Sequence, residues 1–285
     1  MKKILITGAY GQLGNEIKAI SSNYPEFEFI FTDVDSLDIT CRKAVMDFAT
    51  EKSFDYIVNC AAYTAVDKAE EETDLAYSIN RDAVKILGDA ATSTNSKLIH
   101  ISTDYVFDGT SHTPYTEDMP ICPQSEYGKT KAAGEIALFD TCKDAVIIRT
   151  SWLYSGYGNN FVKTMIKLGS ERDSLGVIFD QIGTPTYAGD LATAIMQIIT
   201  SNKWETGIYH FSNEGVASWY DFTKAIHEIY GITCTVNPLE TKDYPSKTPR
   251  PAYSVLNKSK IKTTYNIIIP YWKDGLKRCI EELKK

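Results

Sequence analysis

Three side chains in the middle of the sequence have the types and spacing for acid-base chemistry on a carbonyl group. Tyr127 and Lys131 are four positions apart, which places them on one face of a helix, one turn apart. A phenol has a pKa of about 10, and a neighbouring ammonium lowers that pKa, so the phenol becomes a useful proton donor. Thr103 ends an apolar run typical of a strand, where its hydroxyl could hold a substrate oxygen beside the phenol. The three residues predict carbonyl reduction, with Lys131 also in reach of a cofactor ribose.

A second Tyr-x-x-x-Lys pair shows that this spacing alone is unspecific. Tyr220 and Lys224 match it equally well. They lie in the C-terminal half and follow no strand that ends in a hydroxyl, so we expect them on an ordinary helix surface. The position of Tyr127, after Thr103 and before the next strand, favours the first pair.

A glycine triplet at the N-terminus predicts the matching dinucleotide site. Gly8, Gly11 and Gly14 follow a strand pattern at 3–7 and open a helix pattern. Glycine permits the tight turn and lets the backbone approach a pyrophosphate, which binds the helix N-terminal amides. A structural turn is the alternative, but a strand before and a helix after form the context that a cofactor site requires.

The carboxylate of Asp33 bears on the choice of cofactor. Asp33 ends the second strand pattern, 19 residues after Gly14. An acidic residue about 20 residues after the glycines hydrogen-bonds the adenosine ribose and repels a 2′-phosphate. The sequence therefore favours NADH over NADPH, and the alternative is that Asp33 caps a turn. Asp38 and Ile39 follow closely and could line an adenine pocket.

Short apolar runs that alternate with helical patterns must position these groups. They are rich in Ile and Val and often apolar at successive positions, which is typical of strands covered on both faces. Repeated units of this kind predict an α/β fold with a Rossmann-like, doubly wound parallel sheet. The predicted strands are 3–7, 28–32, 56–60, 98–102, 145–149 and 177–179, and the predicted helices include 42–50, 83–94, 160–168 and 219–230.

The regular alternation weakens beyond about Trp152, where loops rich in Tyr, Gly and Pro appear. We expect a dinucleotide-binding domain over 1–150 and a smaller, irregular, mainly substrate-binding region over 151–285. Segments near 176–212 are expected to return to the sheet, so the boundary is not a single cut.

Composition and charge argue against several classes of protein. The net charge is −7 and no basic cluster could follow a phosphate backbone, so nucleic acid is not an expected partner. No apolar run approaches the ~18 residues of a membrane span, and the Met-Lys-Lys start is expected to lead into a strand rather than a signal peptide. Six cysteines without paired spacing are typical of reduced thiols in a cytoplasmic protein. His100, inside a strand pattern, is expected to be a core residue.

Seven stretches of the sequence match one group of enzymes. They span nearly the whole chain, at 8–14, 58–67, 102–109, 127–131, 149–152, 180–186 and 250–256. Together they resemble the extended short-chain dehydrogenase/reductase superfamily and, within it, the dTDP-4-dehydrorhamnose reductase family. The tyrosine and glycine motifs belong to the whole superfamily, whereas the stretches at 58–67, 180–186 and 250–256 are much more particular.

The resemblance implies that NADH or NADPH reduces the C4 keto group of dTDP-4-dehydro-β-L-rhamnose to give dTDP-L-rhamnose. It implies that Tyr127 protonates the oxyanion, with Thr103 hydrogen-bonding it and Lys131 tuning the phenol. The implied cofactor contacts are Gly8, Gly11, Gln12, Leu13, Gly14, Asp33, Asp38, Ile39, Ala61, Ala62, Tyr63, Thr64, Ser102, Tyr127 and Lys131. The implied substrate contacts are Thr103, Asp104, Trp152 and Arg250, with packing as the alternative role for Trp152.

The resemblance also bears on metal binding and assembly. Some family members bind Mg²⁺ between subunits, and Glu16 and Asp190 are the matching carboxylates. Two carboxylates far apart in sequence are more often solvated surface groups, so the residues themselves do not predict a metal site. Members of the family often form homodimers, so the resemblance allows a homodimer here.

Two other functions fit parts of the pattern. Related proteins epimerise or dehydrate nucleotide sugars with the same Tyr and Lys, and an epimerase would show no net consumption of NADH. The regulatory β-subunit of methionine adenosyltransferase also resembles this family and acts as a binding protein. The particular C-terminal stretches argue against the first alternative, and the intact set of Thr103, Tyr127 and Lys131 argues against the second.

Overall fold

The computed structural model describes residues 1–201, 203–244 and 246–285. Within them the strands are β1 Lys2–Thr7, β2 Phe27–Phe31, β3 Tyr56–Asn59, β4 Lys97–Thr103, β5 Ala145–Thr150, β6 Leu153–Tyr154, β7 Ser174–Ile178, β8 Ile182–Gly183, β9 Thr186–Tyr187, β10 Gly207–His210, β11 Ala217–Ser218 and β12 Thr235–Leu239. The α-helices are α1 Gln12–Ile20, α2 Arg42–Lys52, α3 Val66–Ala69, α4 Thr73–Tyr77, α5 Ala83–Thr94, α6 Glu126–Thr141, α7 Phe161–Glu171, α8 Ala188–Thr200, α9 Trp219–Tyr230, α10 Ser259–Tyr265 and α11 Trp272–Leu283. In these ranges no helix is both long enough and apolar enough to cross a membrane.

Six parallel strands form the main sheet, in the order β2-β1-β3-β4-β5-β10. The strand order changes direction at β1, because the chain runs from β1 outward to β2 and then returns to β3 on the other side. Ligands of such sheets bind at the carboxyl ends of the strands beside this switch point. The doubly wound α/β fold predicted from the sequence is confirmed.

Helices cover both faces of the sheet because successive strand residues point to opposite sides. Ile4 and Ile6 of β1 belong to a core with residues of α1, α8 and α10. Leu5, between them, belongs to a second core with residues of α2, α5 and α6. Every residue of β3 and β5 is buried, which explains why these strands are apolar at successive positions.

The C-terminal half both extends the sheet and forms a core of its own. Strand β10 pairs with β5 at the sheet edge, and α8 packs against α1. A separate cluster joins α7, α9 and α11 through side chains such as Val162, Phe222 and Leu276. The division of the chain at residues 150 and 151 stays a prediction.

One predicted sheet strand lies outside the main sheet. The sequence predicts a strand at 177–179, whereas β7 spans Ser174–Ile178 and pairs in parallel with β12 in a two-stranded sheet. In β7 the buried residues are Leu175 and Val177, which alternate with exposed positions. A strand with one buried face suits the surface of the C-terminal cluster, whereas the centre of a parallel sheet buries both faces.

Candidate active site

A cleft of about 890 Å³ opens at the carboxyl ends of the central strands. The loops after β1, β2 and β3, the end of β4 and the first turns of α6 form its walls. The predicted residues in this lining are Gly8, Gly11, Gln12, Leu13, Asp33, Asp38, Ile39, Ala61, Ala62, Thr64, Ser102, Thr103, Asp104, Tyr127, Lys131 and Trp152. Residues predicted from separate stretches of the sequence therefore meet in one cleft.

Two glycines let the loop after β1 fold tightly against its neighbours. Gly8 has φ of 62°, and a Cβ there would lie 2.6 Å from the backbone nitrogen of Ala61. A Cβ on Gly14 would lie 2.5 Å from the carbonyl oxygen of Gly8. Gly14 lies outside the lining, so its contribution is the close packing of α1 on the loop rather than a contact in the cleft.

The start of α1 suits an anionic group. The helix begins at Gln12, and its N-cap Gly11 has no side chain that could cap the first turn. The amides of that turn are left for a ligand, and the helix dipole favours negative charge there. A dinucleotide pyrophosphate therefore fits between the glycine loop and α1, with Gly11, Gln12 and Leu13 as the residues that would hold it.

Asp33 caps a turn and also lies in the lining of the cleft. Its carboxylate accepts hydrogen bonds from the backbone N–H of Tyr10 at 2.8 Å and of Val34 at 2.9 Å. The first bond ties β2 to the glycine loop, and the second is a local turn cap. Because Asp33 also lines the cleft, turn capping and ligand contact do not exclude each other.

A close approach of α6 to the end of β4 brings the phenol to the threonine. Ser125 caps α6 by accepting a hydrogen bond from the N–H of Gly128 at 3.1 Å. A Cβ on Gly128 would lie 2.3 Å from the carbonyl oxygen of Tyr105, so glycine allows this contact. It places Tyr127 over the turn that follows Thr103, with the Tyr127 ring packed edge-on against the Tyr105 ring, 5.4 Å between ring centres.

The surroundings of Tyr127 raise its pKa, contrary to the direction expected from the sequence. Removal of water from the phenol is the largest cause, and the charges of Asp104 and Tyr105 add to it. The nearby Thr103 hydroxyl opposes the rise in pKa but does not compensate for it. The phenol is therefore held in its protonated form, and a positive charge brought close to it would be needed to make it a better proton donor.

Lys131 points its ammonium group at β4 rather than at the phenol. Its Nζ donates to the carbonyl oxygen of Ile101 at 2.7 Å and lies 3.4 Å from Nε2 of His100. Burial lowers the pKa of Lys131 to about 8, and the negative charge of Glu135 opposes this shift. The sequence correctly predicted that Tyr127 and Lys131 lie on one helix, but it could not show which group accepts the hydrogen bond of the Lys131 ammonium.

Asp104 places a buried carboxyl group beside the two hydroxyls. Burial raises its pKa to about 7, and the hydrogen bond that Thr103 donates at 3.0 Å opposes the shift. A carboxyl group with this pKa changes charge near neutrality, beside the groups expected to act on a substrate oxygen.

A second cleft of about 800 Å³ adjoins the first, because Tyr105 and Trp152 line both. Trp152 has φ of 48°, an uncommon conformation for a large side chain. Its ring stacks on Trp219 with ring centres 3.5 Å apart and planes within 7°. A Cβ on Gly183 would lie 2.6 Å from the Trp152 ring, so glycine leaves room for the stack. Trp152 therefore has the packing role considered from the sequence, and it also lines both clefts.

Arg250 lines the second cleft, on the side away from the glycine loop. Its Nη2 pairs with Asp67 at 2.7 Å, which joins the segment after β3 to the segment near the C-terminus. The guanidinium group is the predicted substrate contact in this cleft, and the ion pair holds it at the cleft wall.

Some predicted residues lie apart from the clefts. The hydroxyl of Tyr63 donates to Glu72, and its backbone N–H donates to Asn80. Tyr220 and Lys224 lie on α9, outside both linings as the structure describes them. Sequence reasoning missed Trp219 as the partner of Trp152, since 67 positions separate them and no motif joins them.

Glu16 and Asp190 are buried, which corrects the expectation of solvated surface groups. Glu16 accepts a hydrogen bond from the hydroxyl of Ser155 at 2.6 Å. The Tyr187 hydroxyl lies 3.5 Å from Glu16 and donates to Glu282 at 2.9 Å. Burial is the largest cause that raises the pKa of Glu16. Asp190 pairs with Arg278 at 2.7 Å. Across the described ranges, no group of three or more His, Cys, Asp or Glu side chains is arranged to hold a metal ion.

The whole chain, residues 1–285, matches the model of the RmlD substrate binding domain family. A dTDP-4-dehydrorhamnose reductase from Aggregatibacter actinomycetemcomitans is 42% identical, covering 97% of this chain and 98% of that protein. A solved dTDP-4-dehydrorhamnose reductase from Clostridium acetobutylicum is 46% identical with a TM-score of 0.95, covering 99% of this chain and 100% of the other. The one from Bacillus anthracis, solved in complex with NADP, is 40% identical with a TM-score of 0.94 and the same coverage. The resemblance inferred from the sequence is confirmed: this chain belongs to the RmlD substrate binding domain family, together with relatives named dTDP-4-dehydrorhamnose reductase.

Proposed function

We propose that this protein reduces the C4 keto group of dTDP-4-dehydro-β-L-rhamnose with NADH or NADPH to give dTDP-L-rhamnose. The observation that carries the proposal is that one cleft brings Thr103, Tyr127 and Lys131 together with the glycine loop. Relatives that match over almost the full chain bear the name of this activity. The adjoining second cleft has room for the nucleotide half of the substrate.

The chain's own residues supply the proton and the orientation. A reduced nicotinamide, when bound, would supply the hydride. Tyr127 donates its phenolic proton to the oxygen at C4, and the Thr103 hydroxyl hydrogen-bonds that oxygen beside the phenol. Lys131 would hold the ribose of a bound cofactor, and its positive charge, one helix turn from Tyr127, would stabilise the phenolate left after proton donation. Trp152, between the two clefts, forms a wall for the sugar.

Asp33 favours NADH over NADPH in this proposal. A carboxylate in the lining at the end of β2 repels a 2′-phosphate. The relative from Bacillus anthracis holds NADP, so NADPH is kept as a usable cofactor. The ratio of kcat/KM for NADH to that for NADPH tests the preference, and a ratio below one contradicts it.

Mg²⁺ takes part in no step of the proposed reaction. Arg278 already neutralises Asp190, and Ser155 donates a hydrogen bond to Glu16. These partners do not fit a metal site within one chain, and the activity that remains after treatment with EDTA tests whether Mg²⁺ between subunits is needed. Homodimer formation and a cytoplasmic location stay predictions, and sedimentation would test the first.

The experiment that tests the reaction follows NADH absorbance with dTDP-4-dehydrorhamnose generated in situ. Steady oxidation of NADH that depends on the sugar, with dTDP-L-rhamnose as product, supports the reductase. Formation of a different nucleotide sugar without net NADH consumption supports the epimerase alternative. Folded protein that binds cofactor but turns over with neither NADH nor NADPH contradicts the proposed reaction and favours the regulatory alternative.

A further inference from the structure

Three polar side chains lie side by side across the centre of the main sheet, beneath the cleft. Thr7 of β1 is paired in register with Asn59 of β3, and Asn59 is paired with His100 of β4. All three are at most 1% exposed. Buried polar groups in the core of a sheet are costly unless their hydrogen bonds are satisfied, so the bonds that they make are informative.

The direction of each hydrogen bond in this row follows from one backbone amide. The N–H of Ala61, which can only donate, bonds to Oδ1 of Asn59 at 3.2 Å. The Thr7 hydroxyl donates to the same oxygen at 2.7 Å. This fixes the orientation of the Asn59 amide, so its Nδ2 faces Nδ1 of His100 at 3.0 Å and donates to it.

The proton on the His100 ring is located by the same reasoning. Because Nδ1 accepts a hydrogen bond, it carries a lone pair. Burial lowers the pKa of His100 well below its usual value, so the ring is neutral and its single proton is on Nε2. That nitrogen is the atom that lies 3.4 Å from Nζ of Lys131.

We propose that His100 is a positioning residue for Lys131, held by Asn59 in the Nε2–H tautomer so that it presents a donor to the ammonium group. A donor on this side gives the ammonium protons no acceptor at His100. They are directed to the carbonyl of Ile101, 2.7 Å away, and to the cleft, where the proposed function requires them. The inference rests on the proposed function in one respect, that Lys131 is the lysine that acts on cofactor and phenol.

The same contact affects the charge of Lys131. Two donors that face each other disfavour the ammonium form, which acts in the same direction as burial. The other charged and titratable groups nearby are Glu135 on α6, which opposes the shift and is paired with Arg149 of β5, and Tyr127 one turn earlier. Replacement of the donor by an acceptor is therefore expected to raise the pKa of Lys131.

The tautomer is measured directly by NMR of the wild-type protein labelled with ¹⁵N histidine. The chain has four histidines, and loss of one ring signal in His100→Gln assigns the resonances. We expect His100 to show a protonated Nε2 and an unprotonated Nδ1 from pH 6 to pH 9. An Nδ1–H tautomer, or a ring that becomes doubly protonated in this range, overturns the inference without bearing on the reaction.

NADH binding as a function of pH provides the second readout, and it needs no sugar substrate. Affinity is expected to fall at alkaline pH as Lys131 loses its proton. In His100→Gln and in Asn59→Asp, which turns the ring so that Nε2 accepts, the midpoint is expected to rise by about one pH unit. His227→Gln is the matched control, because this buried histidine faces the carbonyl of Met165, remote from Lys131. Unchanged midpoints in both folded variants, or an equal shift in the control, overturn the inference.

Discussion

The two adjoining clefts are built in different ways, although one wall serves both. The first cleft is formed mainly by backbone: Gly8 and the free amides of α1 line the place for a pyrophosphate, and Gly14 lets α1 pack closely on the glycine loop. In the second, side chains from distant segments meet, such as Trp152 on Trp219 and Arg250 on Asp67. A site made of backbone follows from the fold and serves a cofactor shared by many enzymes. A site made of side chains changes with single substitutions and sets the substrate.

The proposed proton donor of the first cleft has the largest expected effect. Tyr127→Phe removes the proton donor and is expected to lower kcat/KM by about 10²–10⁴-fold, in a protein that remains folded. Tyr220→Phe is the matched control, because Tyr220 has the same spacing to a lysine but lies on α9. Equal losses of activity in the two variants would contradict the assignment of Tyr127.

Gly14→Ala tests whether the close packing of backbone around the glycine loop determines the shape of the first cleft. The added Cβ would lie 2.5 Å from the Gly8 carbonyl oxygen, so α1 must move, and NADH affinity is expected to fall by about 10²-fold. Gly231→Ala is the control, since Gly231 has φ of 92° and a Cβ there meets nothing within 4 Å. That variant strains the end of α9 and lowers stability by about 1–2 kcal/mol, without a change in NADH binding measured by fluorescence titration.

The buried carboxyl group of Asp104, in the wall of the first cleft, is expected to oppose stability. The native pKa of Asp104, about 7, exceeds the ordinary value of 3.8. Between these values the native state binds more protons than the unfolded state, so the contribution of Asp104 to stability falls as pH rises from about 4 to about 7. At pH 8, Asp104→Asn is expected to raise the free energy of unfolding by about 2 kcal/mol, measured by urea denaturation.

Two controls test whether desolvation of Asp104 causes the predicted gain in stability. The gain of Asp104→Asn is expected to shrink towards pH 4, where wild-type Asp104 is protonated in the native state. Asp108→Asn is expected to act in the opposite direction, because hydrogen bonds, first from Tyr115, hold the pKa of Asp108 below its ordinary value. A gain for Asp104→Asn that does not depend on pH would contradict the explanation by desolvation.

Trp219→Leu tests whether contacts between side chains determine the shape of the second cleft. Loss of the stack frees Trp152, so the KM for the nucleotide sugar is expected to rise by about 3–10-fold, with NADH affinity unchanged. Trp204→Leu is the control, since Trp204 packs on Tyr56 at the opposite end of the sheet. If NADH affinity falls together with sugar affinity, the two clefts are not separable in the way described.

The difference between the clefts also explains what could be predicted from sequence. The strands, the glycine loop and the pair Tyr127 and Lys131 follow from local patterns, because period and spacing determine which face a residue occupies. The stack on Trp219 and the pairing of Lys131 with β4 depend on contacts between distant segments. Desolvation depends on the whole fold, so the raised pKa of Tyr127 could not be read from its neighbour at four positions.

The most direct test of the proposed reaction is the fate of deuterium from NADH labelled on the transferred position of nicotinamide C4. The label should appear at C4 of dTDP-L-rhamnose, at one deuterium per NADH oxidised, when the product is examined by NMR and mass spectrometry. Deuterium at any other carbon, or a sugar product without deuterium, would contradict the reduction at C4 on which the roles of Thr103, Tyr127 and Lys131 depend.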